Sequence, residues 1–237
     1  MKKLAFIFLV VLLMGSASFA AIEDLENDYT EADPDSASWF PTAYEIRFWT
    51  NANTTTGVYK TFSTDYFNTT FTHTFSSEAV YYSSTLSPEL IIWGLSDGGF
   101  TEANLDTANH GVTVQWDRSS SGWFLKIRDW AVDAAGHNSA VLSEDTEYFF
   151  KIVGNGTTVK CTVYASAAHR TAGTPEVTSC IETLSDGSDK YSTFIAQGFE
   201  DGTRNNTIVA ISGNFDLGDV PSSSNIVPIL MNHIRRR

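Results

Sequence analysis

The reactive side chains of this sequence are few and scattered. Gly94-Leu95-Ser96-Asp97-Gly98 has the GxSxG spacing of a serine nucleophile, and a strand-like run, Leu90-Ile91-Ile92-Trp93, precedes it. A nucleophile elbow also needs a helix directly after the serine. Gly98-Gly99-Phe100 and a polar stretch follow instead, so Ser-Asp-Gly-Gly reads as a strand exit. The five histidines, His73, His110, His137, His169 and His233, show no HxH, HExxH or Cys/His spacing, which leaves a transition-metal site without support. Calcium takes oxygen ligands from loops and leaves no regular signature outside the EF-hand, so it stays open as a cofactor. Asp97, Asp106 and Asp117 are its loose candidates, and solvating turns is their competing role. Glycoside hydrolysis needs two carboxylates about 5 to 9.5 Å apart across one sugar bond. The acidic groupings, Glu23-Asp24-Leu25-Glu26 and Asp145 with Glu147, fall in a lead-in and at a strand start, where solvated charge is the simpler role.

Aromatic residues on otherwise polar strand faces are more informative. Alternation sets Trp49 with Glu45 and Arg47, Trp130 with Phe124, Lys126 and Arg128, Phe149 with Lys151, and Tyr164 with Lys160 and Thr162. A pyranose offers an apolar C–H face that stacks on an aromatic plane and a rim of hydroxyls that seeks charged or amide partners. The expected ligand contacts are therefore Trp49, Trp130, Arg128, Lys126, Phe149 and Tyr164, with the two tryptophans as stacking platforms and Arg128 and Lys126 as polar contacts. The competing reading packs these aromatics beneath loops or the tail. Trp116 and Trp123 alternate with apolar sets and belong to the core.

The elements that must position these residues are strands. Period-two runs rich in β-branched and aromatic residues recur between Gly, Asn, Asp and Ser clusters, and the 3.6-residue period of a helix is nearly absent. The clearest strands are Tyr44 to Trp49, Glu89 to Trp93, Val112 to Trp116, Trp123 to Trp130, Glu147 to Val153, Thr158 to Tyr164, Thr193 to Ala196 and Thr207 to Ser212. Tyr59 to Phe62 and Phe71 to Phe75 are fainter. Gly154-Asn155-Gly156 predicts a tight hairpin through positive φ angles, with Tyr148, Phe150 and Ile152 on one core face and Val159, Cys161 and Val163 on its partner. A second hairpin joins Val112–Trp116 to Trp123–Ile127. Short strands in this number predict an all-β fold, a two-sheet antiparallel jelly-roll sandwich.

Composition narrows the partners. The chain has 237 residues, 15 basic against 28 acidic side chains and a formal charge of −13, and Arg235-Arg236-Arg237 is its densest basic run. That excludes phosphate-backbone binding and attraction to anionic membranes. Lys2 and Lys3 followed by an apolar run from Leu4 to Met14 and small residues at Ser18 and Ala20 predict a signal peptide over 1–20, too short to span a bilayer. A secreted or cell-surface product follows, with no stable membrane insertion after cleavage. In an oxidising compartment Cys161 and Cys180, with no third cysteine to compete, are expected to form a disulfide, against the alternative of two buried free thiols. The expected layout is an acidic exposed lead-in over 21–38, a jelly-roll domain over 39–218, and a linker with an apolar and basic tail over 219–237 through which copies could associate. Four Asn-x-Thr sequons, at Asn53, Asn68, Asn155 and Asn205-Asn206-Thr207, read mainly as turn chemistry.

Four segments in order carry a family resemblance: Ile91-Ile92-Trp93-Gly94-Leu95-Ser96-Asp97, Val112-Thr113-Val114-Gln115-Trp116, the hairpin Glu147 to Tyr164, and Ile211-Ser212-Gly213-Asn214-Phe215-Asp216-Leu217. Together they resemble the concanavalin A-like lectin/glucanase superfamily, above all its laminin-G-like jelly rolls, over Tyr44 to Leu217. The resemblance implies two curved antiparallel sheets that meet glycan or protein ligands on the concave sheet or the loop rim, often near calcium. The superfamily also holds endoglucanases and alginate lyases. The strand block lacks their Glu-x-Asp-x-x-Glu acid cluster, and no His, Tyr, Arg and Gln constellation of a lyase can be assembled. The leading expectation is a noncatalytic module that binds a glycan or cell-surface polymer. Its alternatives are a structural subunit of an extracellular or virion surface assembly and a polysaccharide hydrolase or lyase.

Overall fold

The computed structural model describes residues 22–32, 38–50, 56–83, 89–97, 111–132, 134–186, 190–199 and 207–218. The expected signal peptide and C-terminal tail lie outside them. Among the described residues no helix is long and apolar enough to cross a membrane.

Seven strands, β1 (Thr30–Ala32), β4 (Thr56–Thr61), β15 (Thr193–Phe199), β7 (Glu89–Ser96), β8 (Val112–Ser119), β9 (Gly122–Asp129) and β10 (Ala134–Asn138), lie in that order in a first sheet. A second seven-stranded sheet runs β13 (Thr178–Thr183), β12 (Thr158–Tyr164), β11 (Tyr148–Asn155), β6 (Thr70–Ser83), β16 (Thr207–Asp216), β3 (Glu45–Thr50) and β2 (Ser38–Thr42). A short pair, β5 (Phe67–Asn68) with β14 (Lys190–Tyr191), stands apart from both. Neighbours in both large sheets pair antiparallel. This is the two-sheet sandwich that the strand pattern predicts.

The apolar face of each sheet closes the core. Tyr148, Phe150 and Ile152 face inward beside Val159, Cys161 and Val163, and Trp116 and Trp123 are buried with them. Phe75 stacks on Phe150 at 4.7 Å and on Phe215 at 5.1 Å, while Trp116 meets Phe150 edge-on. Two buried polar groups share Ser77: Trp116 Nε1 donates across the sheets to Ser77 Oγ at 3.0 Å, and Ser212 Oγ donates to the same oxygen from the neighbouring strand at 2.9 Å. A lost partner inside such a core leaves a desolvated polar group that costs about 1–3 kcal/mol.

The β11–β12 hairpin forms where it is predicted, by a different device. Only Gly156 has positive φ, at 95°. The Asn155 side-chain oxygen accepts the backbone N–H groups of Thr157 at 3.0 Å and Thr158 at 2.8 Å, so the side chain closes the turn that a second positive φ would otherwise have made. Asn68 does the same for Thr70 at 2.7 Å.

Two elements depart from the sequence reading. Residues 22–32 of the segment expected to be an exposed lead-in are built into the sandwich: α1 (Leu25–Asp28), capped by the Asp24 carboxylate, drives Leu25 to 0% exposure. Glu23 N–H and Leu25 N–H donate to the carbonyls of Phe215 and Ala43, and β1 then adds to the sheet edge at β4. One well-placed leucine outweighs the surrounding acids because Glu26 and Asp28 stay exposed and the largely buried Glu23 is paired with Lys60 at 3.0 Å. The second departure is α2 (Ala167–Ala172), a helix shorter than two full turns held by Ser166 at its N-cap and by left-handed Gly173 at its C-cap.

Candidate functional site

Strand alternation decides what the outer face of the second sheet carries. With Ile46, Ser212, Phe75, Ser77, Ala79, Tyr148 and Phe150 turned into the core, the intervening residues of β3, β16, β6 and β11 turn outward. Register aligns them in two rows. Glu45, Gly213, Ser76, Phe149 and Tyr164 form one, and Arg47, Ile211 and Glu78 form the next. Tyr148 opposes Ser77, so Glu147, one step earlier, stands beside Glu78.

These rows enclose a groove of about 220 Å³ lined by Glu45, Ser76, Ser77, Glu78, Glu147, Ile211, Ser212 and Gly213. Typical small-molecule pockets hold roughly 300–1,000 Å³, so this one suits a single ring-sized group. Gly213 sets its depth: a Cβ there would stand 2.6 Å from the Tyr44 carbonyl oxygen and 2.7 Å from Glu45 Cγ. The electrostatics are acidic. Partial burial pushes the Glu78 carboxyl above its ordinary range, the nearby Asp145 and Glu147 carboxylates push it further, and Arg47 opposes them. A groove of this kind offers carboxylate oxygens as acceptors for paired hydroxyls, a serine hydroxyl as donor, and Ile211 as an apolar floor.

The six expected ligand contacts do not form one site; they divide between opposite faces of the sandwich. Phe149 and Tyr164 are cross-strand partners on the outer face of the second sheet. Trp49 occupies β3 in register with Val209, and its side chain lies outside the described residues. Lys126 and Arg128 belong to β9 in the first sheet, opposite Gln115 and Thr113, and Trp130 directly follows that strand. Trp130 is not presented for stacking. It is 2% exposed, its Nε1 donates to Thr113 Oγ1 at 3.0 Å, and the Arg128 guanidinium sits 3.5 Å from its ring centroid. The arginine already takes the ring face that a sugar would need. Tyr164 is 3% exposed, and the Arg170 guanidinium of α2 lies 5.8 Å from the Phe149 ring while donating to the Phe75 carbonyl at 2.8 Å.

The remaining motifs take structural roles. Ser96 is fully buried within β7 opposite Thr193, which removes it as a nucleophile. Asp117 accepts the Arg118 N–H at 2.6 Å, and Asp106 lies outside the described residues. Among the described residues no group of three His, Cys, Asp or Glu side chains is arranged to hold a metal ion. His73 is a core residue: its Nδ1 accepts Trp93 Nε1–H at 3.1 Å. Cys161 and Cys180 are register partners across β12 and β13, both buried, and stand here as two thiols. Glu78 escapes the sequence reading, and Glu45 enters it only as a neighbour of Arg47 and Trp49, because no local spacing joins residues that meet through strand register.

No family model and no curated protein matches this chain. Solved structures do. A functionally unknown protein from Saccharomyces cerevisiae superposes with a TM-score of 0.51 at 9% identity, covering 79% of this chain and 94% of that one. The GH43 protein BlXynB from Bacillus licheniformis, as its K247S mutant, gives 0.52 at 12% identity, covering 82% of this chain but 39% of its own. The VIP36 exoplasmic/lumenal domain in its Ca²⁺/Man-bound form is more distant, at 0.47 and 8% identity over 83% of this chain and 84% of that one. Likeness at such identities concerns architecture alone. The fold is a two-sheet antiparallel jelly-roll sandwich, as the strand pattern predicts.

Proposed function

We propose that this protein is a secreted or cell-surface module that binds carbohydrate, without transforming it, in the groove on the outer face of the second sheet. The observation that supports this most is the groove itself, in which the hydroxyl and carboxylates of Ser76, Glu45, Glu78 and Glu147 surround an apolar floor at Ile211. Phe149 and, by its strand position, Trp49 are the aromatic contacts expected along this face. Lys126 and Arg128 are assigned to a separate surface, and Trp130 and Tyr164 to packing. An acidic groove selects neutral or amino sugars over uronates, since a carboxylate ligand would meet three carboxylates at close range.

A glycan array probed with the wild type, Glu147→Gln and Lys126→Ala tests the reading. Selective binding that falls at least tenfold in Glu147→Gln and persists in Lys126→Ala supports it. Binding that is lost only in Lys126→Ala moves the site to the opposite face.

One observation favours a second reading, hydrolysis of a polysaccharide. Adjacent Glu78 and Glu147 share a groove, and the Glu78 carboxyl is raised, as a general acid requires. Incubation with purified β-glucans and alginate, followed by assays for new reducing ends and unsaturated products, decides between them. Product that is lost in Glu78→Gln would establish catalysis, and no product in the presence of measured binding leaves the module noncatalytic.

A further inference from the structure

The cysteine pair carries an inference independent of any ligand. We infer that Cys161 and Cys180 close into a cross-strand disulfide while the exported chain is still folding, and that the finished sandwich then seals the bond from exchange. Direct register partners on antiparallel strands hold their Cβ atoms about 4.5–5.5 Å apart, a short step from the roughly 3.5–4.5 Å that a disulfide spans. The two thiols already lie in hydrogen-bonding contact. β13 is the edge strand of its sheet and can supply the small remaining movement.

Burial fixes the timing. Cys161 is 0% exposed and Cys180 3%, so no oxidant reaches either sulfur in the native protein. The hydrogen bond to Cys180 and then burial push the Cys161 thiol well above its ordinary range, which suppresses the thiolate that exchange requires. Oxidation therefore belongs to the open chain. There a thiolate of one cysteine attacks a small-molecule or protein disulfide, forming a mixed disulfide and releasing one thiol. The second cysteine then attacks the first cysteine's sulfur and releases the other thiol. Two cysteines lose two electrons and two protons in total, and one disulfide oxidant becomes two thiols.

The bond would fasten more than two strands. Between the cysteines lies α2, whose Arg170 packs on Phe149 beside the groove, and β13 also touches β9 and β10 of the opposite sheet. Stapling this edge ties the helix and both layers together.

The test uses the full chain, unfolded and fully reduced, then refolded in a reduced/oxidised glutathione buffer. The product is unfolded again in guanidinium with iodoacetamide and its intact mass is measured. No alkylated cysteine without prior reduction, and two after it, is the expected result; two alkylated cysteines without reduction overturn the inference. A second arm refolds the chain under excess reductant, removes it, and adds oxidised glutathione to the native protein. Oxidation at least tenfold slower than during refolding is expected, and equal rates overturn the timing. The oxidised form should also melt roughly 10 °C above the reduced one, and equal melting temperatures contradict the staple. Thiol counting is blind to glycan binding, so its failure and that of the groove reading cannot be confused.

Discussion

Acidification should unfold this protein through one buried imidazole. His73 is 1% exposed and boxed by Phe71 at 4.7 Å, Phe67 and Trp93 at 5.7 Å and Phe194 at 6.3 Å, none of which carries charge. Its Nδ1 accepts the Trp93 N–H, which places the neutral ring's proton on Nε2, and no partner for Nε2 is present among the described residues. A second proton would have to enter at Nδ1 and turn an acceptor into a donor facing a donor. Burial accordingly lowers the group from its ordinary value of 6.5 to about 3. The unfolded chain binds this proton near pH 6.5 and the folded one near 3, so the stability it contributes is complete above neutrality and is lost as pH falls between those values. Linkage then assigns to His73 about 2 kcal/mol lost between pH 7 and pH 5, and about 4 kcal/mol by pH 3. Urea unfolding of the wild type and His73→Phe at pH 7 and pH 5 reads this directly. The variant should be weaker at pH 7, because Trp93 Nε1 loses its acceptor at a cost of about 1–3 kcal/mol. Its loss on going to pH 5 should be smaller than that of the wild type by about 2 kcal/mol. Equal losses in the two proteins would refute the reasoning.

Three further outcomes follow from the geometry. Leu25→Ala should destabilise the protein by about 2–5 kcal/mol in urea unfolding, because residue 25 is a core position; a change within about 0.5 kcal/mol would return the segment to the surface. Gly213→Ala should lower the melting temperature, since the new methyl would stand 2.6 Å from the Tyr44 carbonyl oxygen and 3.0 Å from Glu45 Cα, backbone atoms that cannot swing aside as the Glu45 side chain can. Glu78 has a raised folded value, so its ionisation opposes folding and stability from this group grows as pH falls through its titration; Glu78→Gln should flatten that part of the profile, measured as melting temperature against pH.

What could be read from the amino-acid order depended on how far apart the interacting residues were. The β11–β12 hairpin was readable because both strands alternate cleanly and the turn residues lie between them. β6 was not. Its inward positions run Phe71, His73, Phe75, Ser77 and Ala79, so two polar side chains interrupt the apolar alternation of a 14-residue strand. Those same residues are the ones that accept the Trp93 and Trp116 indole protons, so the polarity that hides the strand is part of its core packing. The alternation that grouped Trp130 with Arg128 was correct, and the outcome differed because the arginine stacks on the tryptophan instead of leaving it for a ligand. The six expected contacts were pooled into one site because alternation tells the sides of a strand but not which sheet a strand joins. The groove was invisible for the same reason: Glu78 and Glu147 become neighbours only after β6 pairs with β11 across four intervening strands of sequence.

The central claim, that recognition belongs to the outer face of the second sheet, is tested most directly by chemical-shift mapping. Isotope-labelled protein would be titrated with the strongest oligosaccharide from the array. The account predicts that the perturbed residues gather at Glu45, Ser76, Glu78, Glu147, Ile211 and Gly213. Perturbations gathered instead at Thr113, Gln115, Lys126 and Arg128, with the groove silent, would contradict it.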